Sequence, residues 1–191
     1  EQRRFDEAEA MHRRALAMRE KLLGPSHDHI ATSLYCLAVL LHEQRRFDEA
    51  EAMHRRALAM REELLGPAHV DTGDSAFELA MLLMRRGKVH EAATMMEAAA
   101  LAYAASYGEG HEQTADARGS LANLQALSAA TADLTPGQRN ELAATLFSDA
   151  NAGGGGDKLS DGDSGGGGGV GVGDGALTTL HGAATVTAAV V

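Results

Sequence analysis

One segment of this chain occurs twice without a single change, and that duplication limits the fold more than any other feature of the sequence. The segment EQRRFDEAEAMHRRALAMRE spans residues 1–20 and again residues 43–62, so the repeat period is 42 residues. A diverged third copy follows in register, because His27, His69 and His111 are also spaced by 42. A repeat of this length is one supersecondary unit, and such units bury their apolar faces by stacking on their neighbours. The duplication therefore predicts a solenoid.

Each unit is predicted to consist of two helices joined by a short turn. The first extends over residues 28–44, and its apolar side chains share one face because they recur at spacings of three and four. The second extends over residues 47–65 and begins with acidic side chains, which suit the positive N-terminus of a helix. Gly66-Pro67 ends the second helix, since Gly adopts the left-handed conformation and Pro cannot continue the helix.

The type of repeat follows from the spacing of large and small residues. The period alone would favour HEAT or armadillo repeats over tetratricopeptide repeats, which are about 34 residues long. The residue pattern favours the tetratricopeptide type, because small side chains occur where its helices approach closely. In one unit the pattern positions are Leu34, Leu37, Ala38, Leu41, Ala50, His54 and Ala57, and in the next they are Ala76, Leu79, Ala80, Leu83, Ala92, Met96 and Ala99.

A family resemblance rests on these residues and on the pattern RxFDEAExxxxRALxxREExLGPxH, which residues 47–69 match closely. Units of this kind, 42 residues long, resemble those of kinesin light chains and related arrays. The resemblance extends over about residues 1–127 of the chain. It implies an all-α fold, a right-handed α-solenoid of tetratricopeptide repeats.

The chain is predicted to contain one array and one tail. We expect residues 1–149 to form the array, with a partial first unit, about three units in all and a terminal capping helix opened by Thr135 and Gln138. Residues 150–191 are Gly-rich and of low complexity, so we expect a disordered tail. Because the sequence begins in the middle of a unit, the chain is interpreted as a fragment.

Composition argues against several classes of function. The net charge of −10, from 17 basic and 27 acidic residues, argues against binding to nucleic acid. No apolar run reaches the roughly 18–20 residues of a membrane helix, so no membrane insertion is expected. The single cysteine excludes a disulfide framework, and together with the lack of a visible targeting signal it favours the cytoplasm. The resemblance to kinesin light chains further implies that the protein associates with the cytoskeleton.

No pattern of residues indicates catalysis, so the chain is predicted not to be an enzyme and to use no cofactor. Gly153–Gly156 is followed by Asp157-Lys158 and not by the Gly-Lys-Ser/Thr of a phosphate loop, so this segment is interpreted as a linker. At the junction His27-Asp28-His29, Asp28 or Ser26 is predicted to cap the first helix that follows.

The histidines are interpreted as structural residues and not as metal ligands, because their spacing follows the repeat. His54 occupies a position that normally holds a large aromatic residue, and we expect it to pack with one edge hydrogen-bonded. A zinc site that uses His27 and His29 is the weaker alternative, since it would need a third ligand from elsewhere.

Candidate binding residues follow from the resemblance, because the first helices of tetratricopeptide arrays line a concave groove. Tyr35, Val39, Phe77 and Met81 would form an apolar strip suited to an extended or helical peptide. The alternative left open is that Tyr35 and Phe77 simply pack between adjacent first helices. The candidate groove residues are Thr32, Tyr35, Val39, His42, Asp74, Phe77, Met81, Met84, Asp116 and Asn123.

The function implied by the resemblance is that of a protein-protein interaction scaffold, similar to the cargo-binding array of a kinesin light chain. Its partners would be proteins or peptides, including kinesin-related cargo or a motor complex. The heptad segment that binds the motor heavy chain in kinesin light chains is not seen in this sequence, so direct binding to the heavy chain is not carried over from the resemblance. Tyr35-Cys36, Phe77-Glu78 and Gly119-Ser120 replace the paired Asn frequent in the family, so a partner with an acidic motif is not expected. Two alternatives stay open: a sensor array cut from a larger NTPase or protease-like signalling protein, and a non-functional repeat fragment.

Overall fold

The computed structural model of the chain describes residues 2–24, 26–130, 134–135 and 137–138. These residues contain six long helices and no strand: α1 (Gln2–Leu23), α2 (Asp28–Glu43), α3 (Phe47–Leu65), α4 (Val70–Arg85), α5 (Val89–Tyr107) and α6 (Glu112–Ala130). Each helix packs against the next one along the chain, and α2 also contacts α4. The predicted all-α solenoid is confirmed.

The predicted helix bounds hold to within one residue in the first complete unit. The second helix begins and ends as predicted, and the first ends at Glu43, one residue early. Gly66 ends α3 with a φ of 85°, and its N–H donates to the Glu62 carbonyl oxygen at 3.1 Å. Arg45 adopts a φ of 62° in the turn before α3, where the next unit has Gly87 at 74°.

The first helices are capped by histidine, so the prediction of Asp28 or Ser26 as cap is wrong. His27 has an extended backbone, and its Nδ1 accepts a hydrogen bond from the backbone N–H of His29 at 3.2 Å. His69 Nδ1 likewise accepts a hydrogen bond from the backbone N–H of Asp71 at 3.2 Å, and His111 Nδ1 accepts one from the backbone N–H of Gln113 at 3.3 Å. Histidine can act as the N-cap because its imidazole nitrogen reaches a backbone N–H of the first turn that has no acceptor within the helix. The oxygen of a Ser, Thr, Asp or Asn side chain would usually accept this hydrogen bond.

The core consists of two clusters of buried side chains that follow the stack. One lies mainly among α1, α2 and α3, reaches Leu82 of α4, and includes Leu16, Ile30 and Leu34. The other extends from α3 to α6 and includes Leu79, Met96 and Leu124. Small residues occupy the places of closest approach, since Ala50, Ala57 and Ala80 are each 0% exposed.

Ion pairs connect each second helix with the next. Arg46, at the start of α3, donates to Glu9 of α1 at 2.6 Å. Lys88, at the start of α5, donates to Glu51 of α3 at 3.0 Å in the equivalent position of the next unit. Arg55 of α3 adds a 2.6 Å contact to Glu91 of α5. The second helices are therefore held together by long charged side chains.

The end of the described chain carries one more predicted feature. The backbone N–H of Thr135 donates to Gln138 Oε1 at 2.9 Å, and the backbone N–H of Gln138 donates to Thr135 Oγ1 at 3.4 Å. These are the reciprocal hydrogen bonds of the predicted capping box. The rest of the predicted terminal helix and the predicted tail lie outside the described residues.

Candidate functional site

The candidate groove residues separate into two groups by exposure. His42, Phe77, Met81 and Met84 are buried, between 1% and 8% exposed, and the last three belong to the core cluster of α3–α6. The other six are partly exposed: Thr32, Tyr35 and Val39 on α2, Asp74 on α4, and Asp116 and Asn123 on α6. The accessible part of the strip is therefore centred on α2, with an acidic edge on α4 and α6.

Tyr35 is the aromatic residue of this strip that keeps accessible surface. Its ring contacts the ring of His54 edge to face, with centroids 5.9 Å apart. The Arg61 guanidinium carbon lies 5.1 Å from the Tyr35 ring centroid, within the range of a cation–π contact. Burial raises the pKa of the Tyr35 hydroxyl, and the nearby Glu78 and Asp74 carboxylates add to this effect. Tyr35 is therefore a neutral, firmly held side chain.

Arg61 fixes the position of α4 relative to α3. Its Nη1 donates to the backbone oxygen of Asp71 at 2.8 Å and to Ser75 Oγ at 2.9 Å. One unit earlier, Arg19 donates in the same way to the backbone oxygen of His29 and to Ser33 Oγ. Nε of Arg61 is buried without a hydrogen-bond partner. This repeated contact sets the register between consecutive units beside the strip.

Asp74 is held by a tyrosine of the following helix. Tyr103 Oη donates to Asp74 Oδ1 at 2.8 Å. Burial raises the pKa of the Asp74 carboxyl, and the hydrogen bond from Tyr103 opposes that rise. The ring of Tyr103 also lies 6.4 Å from the ring of Phe77, so α5 covers Phe77 from behind. This packing explains why Phe77 is buried while Tyr35, in the equivalent position, is not.

Glu78 is a partly buried carboxylate on the same side of α4 as Asp74, one helical turn later. Burial raises its pKa to about 7, with further contributions from the Asp74 and Glu43 carboxylates and opposition from Arg85. Glu78 forms no direct hydrogen bond or ion pair within the described residues. At neutral pH Glu78 is therefore only partly charged, and Arg85 is the nearby cation that offsets its charge.

Two histidines near the strip are buried in neutral form. His54 is 0% exposed, and neither of its ring nitrogens has a hydrogen-bond partner, so the expectation that one edge would be bonded is wrong. Burial lowers the pKa of His54 to about 3, and burial together with Arg85 lowers the pKa of His42 to about 4. The ring of His54 contacts the ring of Tyr35 edge to face, and this contact offers its nitrogens no hydrogen-bond acceptor.

Among the residues described, no group of three or more His, Cys, Asp or Glu side chains is placed to hold a metal ion. Over the same stretches, every helix is too short or too polar to cross a membrane. Two surface clefts, of about 430 and 230 Å³, lie between α5 and α6 and among α1, α2 and α3, and they contain none of the candidate groove residues.

Sequence reasoning missed three residues of this site: Glu78, Arg61 and Tyr103. The repeat could have indicated Arg61, because Arg19 occupies the equivalent position. The positions equivalent to Glu78 in the other units are Cys36 and Ser120, and the position equivalent to Tyr103 is Arg61. Because neither residue recurs in the repeat, the sequence pattern did not indicate a role for Glu78 or Tyr103.

Comparison with known families gives a consistent result along the array. Family models of the tetratricopeptide repeat match residues 1–63, 29–83 and 74–113. Together these matches cover residues 1–113 of 191, which is more than half of the chain. A search of curated proteins found no match.

Proposed function

Since the chain belongs to the tetratricopeptide repeat family, we propose that it binds a peptide or protein partner along the strip formed by α2 and α4. The family match supports a protein-protein interaction scaffold in general. The observation that carries the specific proposal is Tyr35, which is partly exposed but fixed by Arg61 and His54. A rigid aromatic side chain with accessible surface is the usual anchor of a binding site.

The charge of the strip limits the chemistry of the partner. Asp74, Glu78 and Asp116 are partly exposed on the first helices, and Glu78 has no cation bonded to it. A neutral or basic segment would lie against these carboxylates without repulsion, whereas an acidic segment would bring like charges together in partly buried surroundings. We therefore expect neutral or basic partners and no enzymatic activity from this chain.

The test is a selection of peptides from a random library against the full chain, followed by measured affinities. Tyr35→Ala should weaken the selected peptides at least about tenfold, which is the size expected for an aromatic anchor. Tyr107→Ala is the control, because Tyr107 is 44% exposed at the end of α5 and is not one of the candidate groove residues. Peptides that bind Tyr35→Ala as well as the unchanged chain would place the binding surface elsewhere.

The resemblance to kinesin light chains extends the proposal to a cargo-binding array in the cytoplasm, associated with the cytoskeleton. Its support is the close match of residues 47–69 to that repeat subtype. The full-length transcript tests it, since a heptad coiled coil upstream would connect the array to a motor. A P-loop or protease motif in the same transcript would favour the alternative, a sensor array of a signalling protein.

A further inference from the structure

The candidate binding strip contains one carboxylate to which the protein bonds no cation. Glu78 lies partly buried on α4, and its side chain forms neither an ion pair nor a hydrogen bond within the described residues. Buried carboxylates elsewhere in the array are paired: Glu51 on α3 accepts hydrogen bonds from two arginines and a lysine. Glu9 on α1 likewise pairs with Arg46 at 2.6 Å. Glu78 therefore departs from the way this array treats its carboxylates.

The fold does not require a carboxylate at the position of Glu78. The equivalent residues of the neighbouring units are Cys36 on α2 and Ser120 on α6, so the same helix packing is reached without one. Burial raises the pKa of Glu78 to about 7, and a cation brought beside it would favour the ionised form. A carboxylate that is specific to one unit and whose pKa is shifted in this way is a candidate for binding.

Tyr35 lies close to this carboxylate on the neighbouring helix. Asp74 and Glu78 both act to raise the pKa of the Tyr35 hydroxyl, so the phenol and the two carboxylates interact electrostatically across α2 and α4. The ring of Tyr35 is fixed by Arg61 and His54, but its hydroxyl forms no hydrogen bond within the described part of the chain. An aromatic ring beside a carboxylate suits a basic side chain, because the methylene stem packs on the ring while the charged end reaches the carboxylate.

Two buried polar atoms beside the strip also lack partners. They are Nε of Arg61, whose guanidinium lies over the Tyr35 ring, and Nε2 of His42, in residues that are 6% and 7% exposed. His42 is on the same face of α2 as Tyr35, two helical turns later. Arg85 acts to lower the pKa of both His42 and Glu78, so the imidazole and the carboxylate share a neighbour. Because buried polar groups are rarely left unpaired, these atoms indicate a surface that a bound segment completes.

We propose that the partner places a lysine or arginine side chain on the ring of Tyr35, with its cationic group against Glu78. This position is the cation subsite, and the inference rests on the proposed function, because it assigns the chemistry of one place in the same strip. Asp74, which Tyr103 holds by a 2.8 Å hydrogen bond, adds negative potential one helical turn away. An acidic side chain in the cation subsite would meet two carboxylates, so the same geometry that attracts a basic partner rejects an acidic one.

The test begins with peptides selected from a random library against the full chain. Selected peptides that lose affinity for Tyr35→Ala bind the strip, and we expect them to share Lys or Arg at one position. Replacing that residue by its neutral analogue, norleucine for lysine or citrulline for arginine, should weaken binding at least about tenfold. In Glu78→Gln the same replacement should change the affinity less than about twofold, because the opposing charge is already gone.

Glu62→Gln is the matched control for Glu78→Gln. Glu62 is exposed on α3, and its replacement changes the net charge of the chain by the same amount. In this variant the neutral analogue should still weaken binding at least about tenfold. A general attraction between basic peptides and an acidic protein would instead affect both variants equally.

The pH dependence of binding gives a second measurement, made with selected peptides that contain no histidine. A bound cation favours ionised Glu78, so the affinity of the unchanged chain should fall by up to about tenfold from pH 8 to pH 6. The charged and titratable groups that face Glu78 are Asp74 and Arg85 on α4 and Glu43 and Tyr35 on α2. Glu78→Gln retains all four, so its affinity should change less over this range, and the difference belongs to Glu78.

The outcomes separate this inference from the proposed function. Peptides that need Tyr35 but tolerate the neutral analogue, or that carry acidic residues at the shared position, would overturn the cation subsite and leave the binding strip in place. A selection that yields no peptide dependent on Tyr35 would overturn both. Circular dichroism verifies that each variant keeps its helices, and Glu78→Ser, which introduces the residue found at position 120 of α6, replaces Glu78→Gln if the latter does not fold.

Discussion

Tyr103 of α5 donates a 2.8 Å hydrogen bond to Asp74 of α4 and so joins the edge of the candidate binding strip to the helix behind it. Tyr103 is buried and Asp74 is partly exposed, and burial raises the pKa of each. Because Asp74 has no other hydrogen bond within the described residues, its orientation at the strip depends on this tyrosine.

Tyr103→Phe should lower the free energy of unfolding by about 1–3 kcal/mol, since it leaves a partly buried carboxylate without its donor. Urea denaturation measures the change. Tyr107→Phe provides the comparison, because Tyr107 is 44% exposed, and a change within about 0.5 kcal/mol is expected there. Equal effects of the two substitutions would mean that the hydrogen bond does not stabilise the fold.

His54→Phe should leave the stability unchanged or increase it by about 1–3 kcal/mol at pH 7, because it removes two buried ring nitrogens without partners. The gain should grow as the pH falls from 6.5 toward 3. The unfolded state binds a proton at His54 in this range, whereas burial lowers the pKa in the folded state to about 3. Thermal melts at pH 7 and pH 5 measure both effects. A loss above about 2 kcal/mol at pH 7 would show that the imidazole has a polar role.

Gly73→Ala should destabilise the chain by about 1–3 kcal/mol through overpacking. A Cβ at this position would lie 2.9 Å from the Cβ of Ala102 and 3.1 Å from the ring of Tyr103. Gly119→Ala is the control, because nothing lies within 4 Å of the added Cβ. At this helical position alanine should instead stabilise by about 0.5–1 kcal/mol. Opposite signs in denaturant titrations would verify the close approach of α4 and α5.

Glu78→Gln should stabilise the chain at pH 8 and have little effect at pH 4.5. Burial raises the pKa of Glu78 to about 7 from 4.5, so the folded state holds a proton that the unfolded state has lost. The stability from this group is therefore complete below pH 4.5 and is lost as the pH rises through 7. Unfolding titrations across this range, with Glu62→Gln on the exposed side of α3 as control, measure the difference. A gain that does not depend on pH would rule out an uncompensated carboxylate.

Glu51→Gln should cost about 1–3 kcal/mol, because this buried carboxylate accepts hydrogen bonds from Arg55, Arg86 and Lys88. Burial raises the pKa of Glu51, but these hydrogen bonds outweigh it and hold the pKa below its ordinary value. Glu49→Gln should cost under about 1 kcal/mol, because the side chain of Glu49 is 49% exposed. Unfolding measured at low salt and near 1 M salt should show a smaller gap at high salt. Equal losses would mean that the contacts between second helices are not electrostatic.

The sequence predicted the helices well because the duplicated segment fixes every helix boundary more than once. It could not predict which residues of one helix face stay exposed. Tyr35 and Phe77 occupy equivalent positions, but Tyr103 covers Phe77 from α5, and the corresponding residue behind Tyr35 is Arg61. Exposure at a repeated position depends on the side chains of the second helix packed behind it, and these differ between copies.

The capping histidines and the unpartnered His54 were missed for a different reason. General preferences favour Ser, Thr, Asp or Asn as caps, so Asp28 and Ser26 were expected in place of His27. For His54 the expectation of a hydrogen bond came from the general rule for buried polar groups. The structure departs from that rule at His54, where the ring is 0% exposed and both nitrogens lack a partner.

The identity of residues 1–20 and 43–62 also gives the molecule an internal reference. Intrinsic helix propensity and side-chain composition cancel between residues 5–20 and 47–62, which are helical in both copies, and what remains is the difference in the surroundings of the two helices. Amide exchange rates compared residue by residue between α1 and α3 would therefore report, within one molecule and one experiment, how much protection those surroundings give.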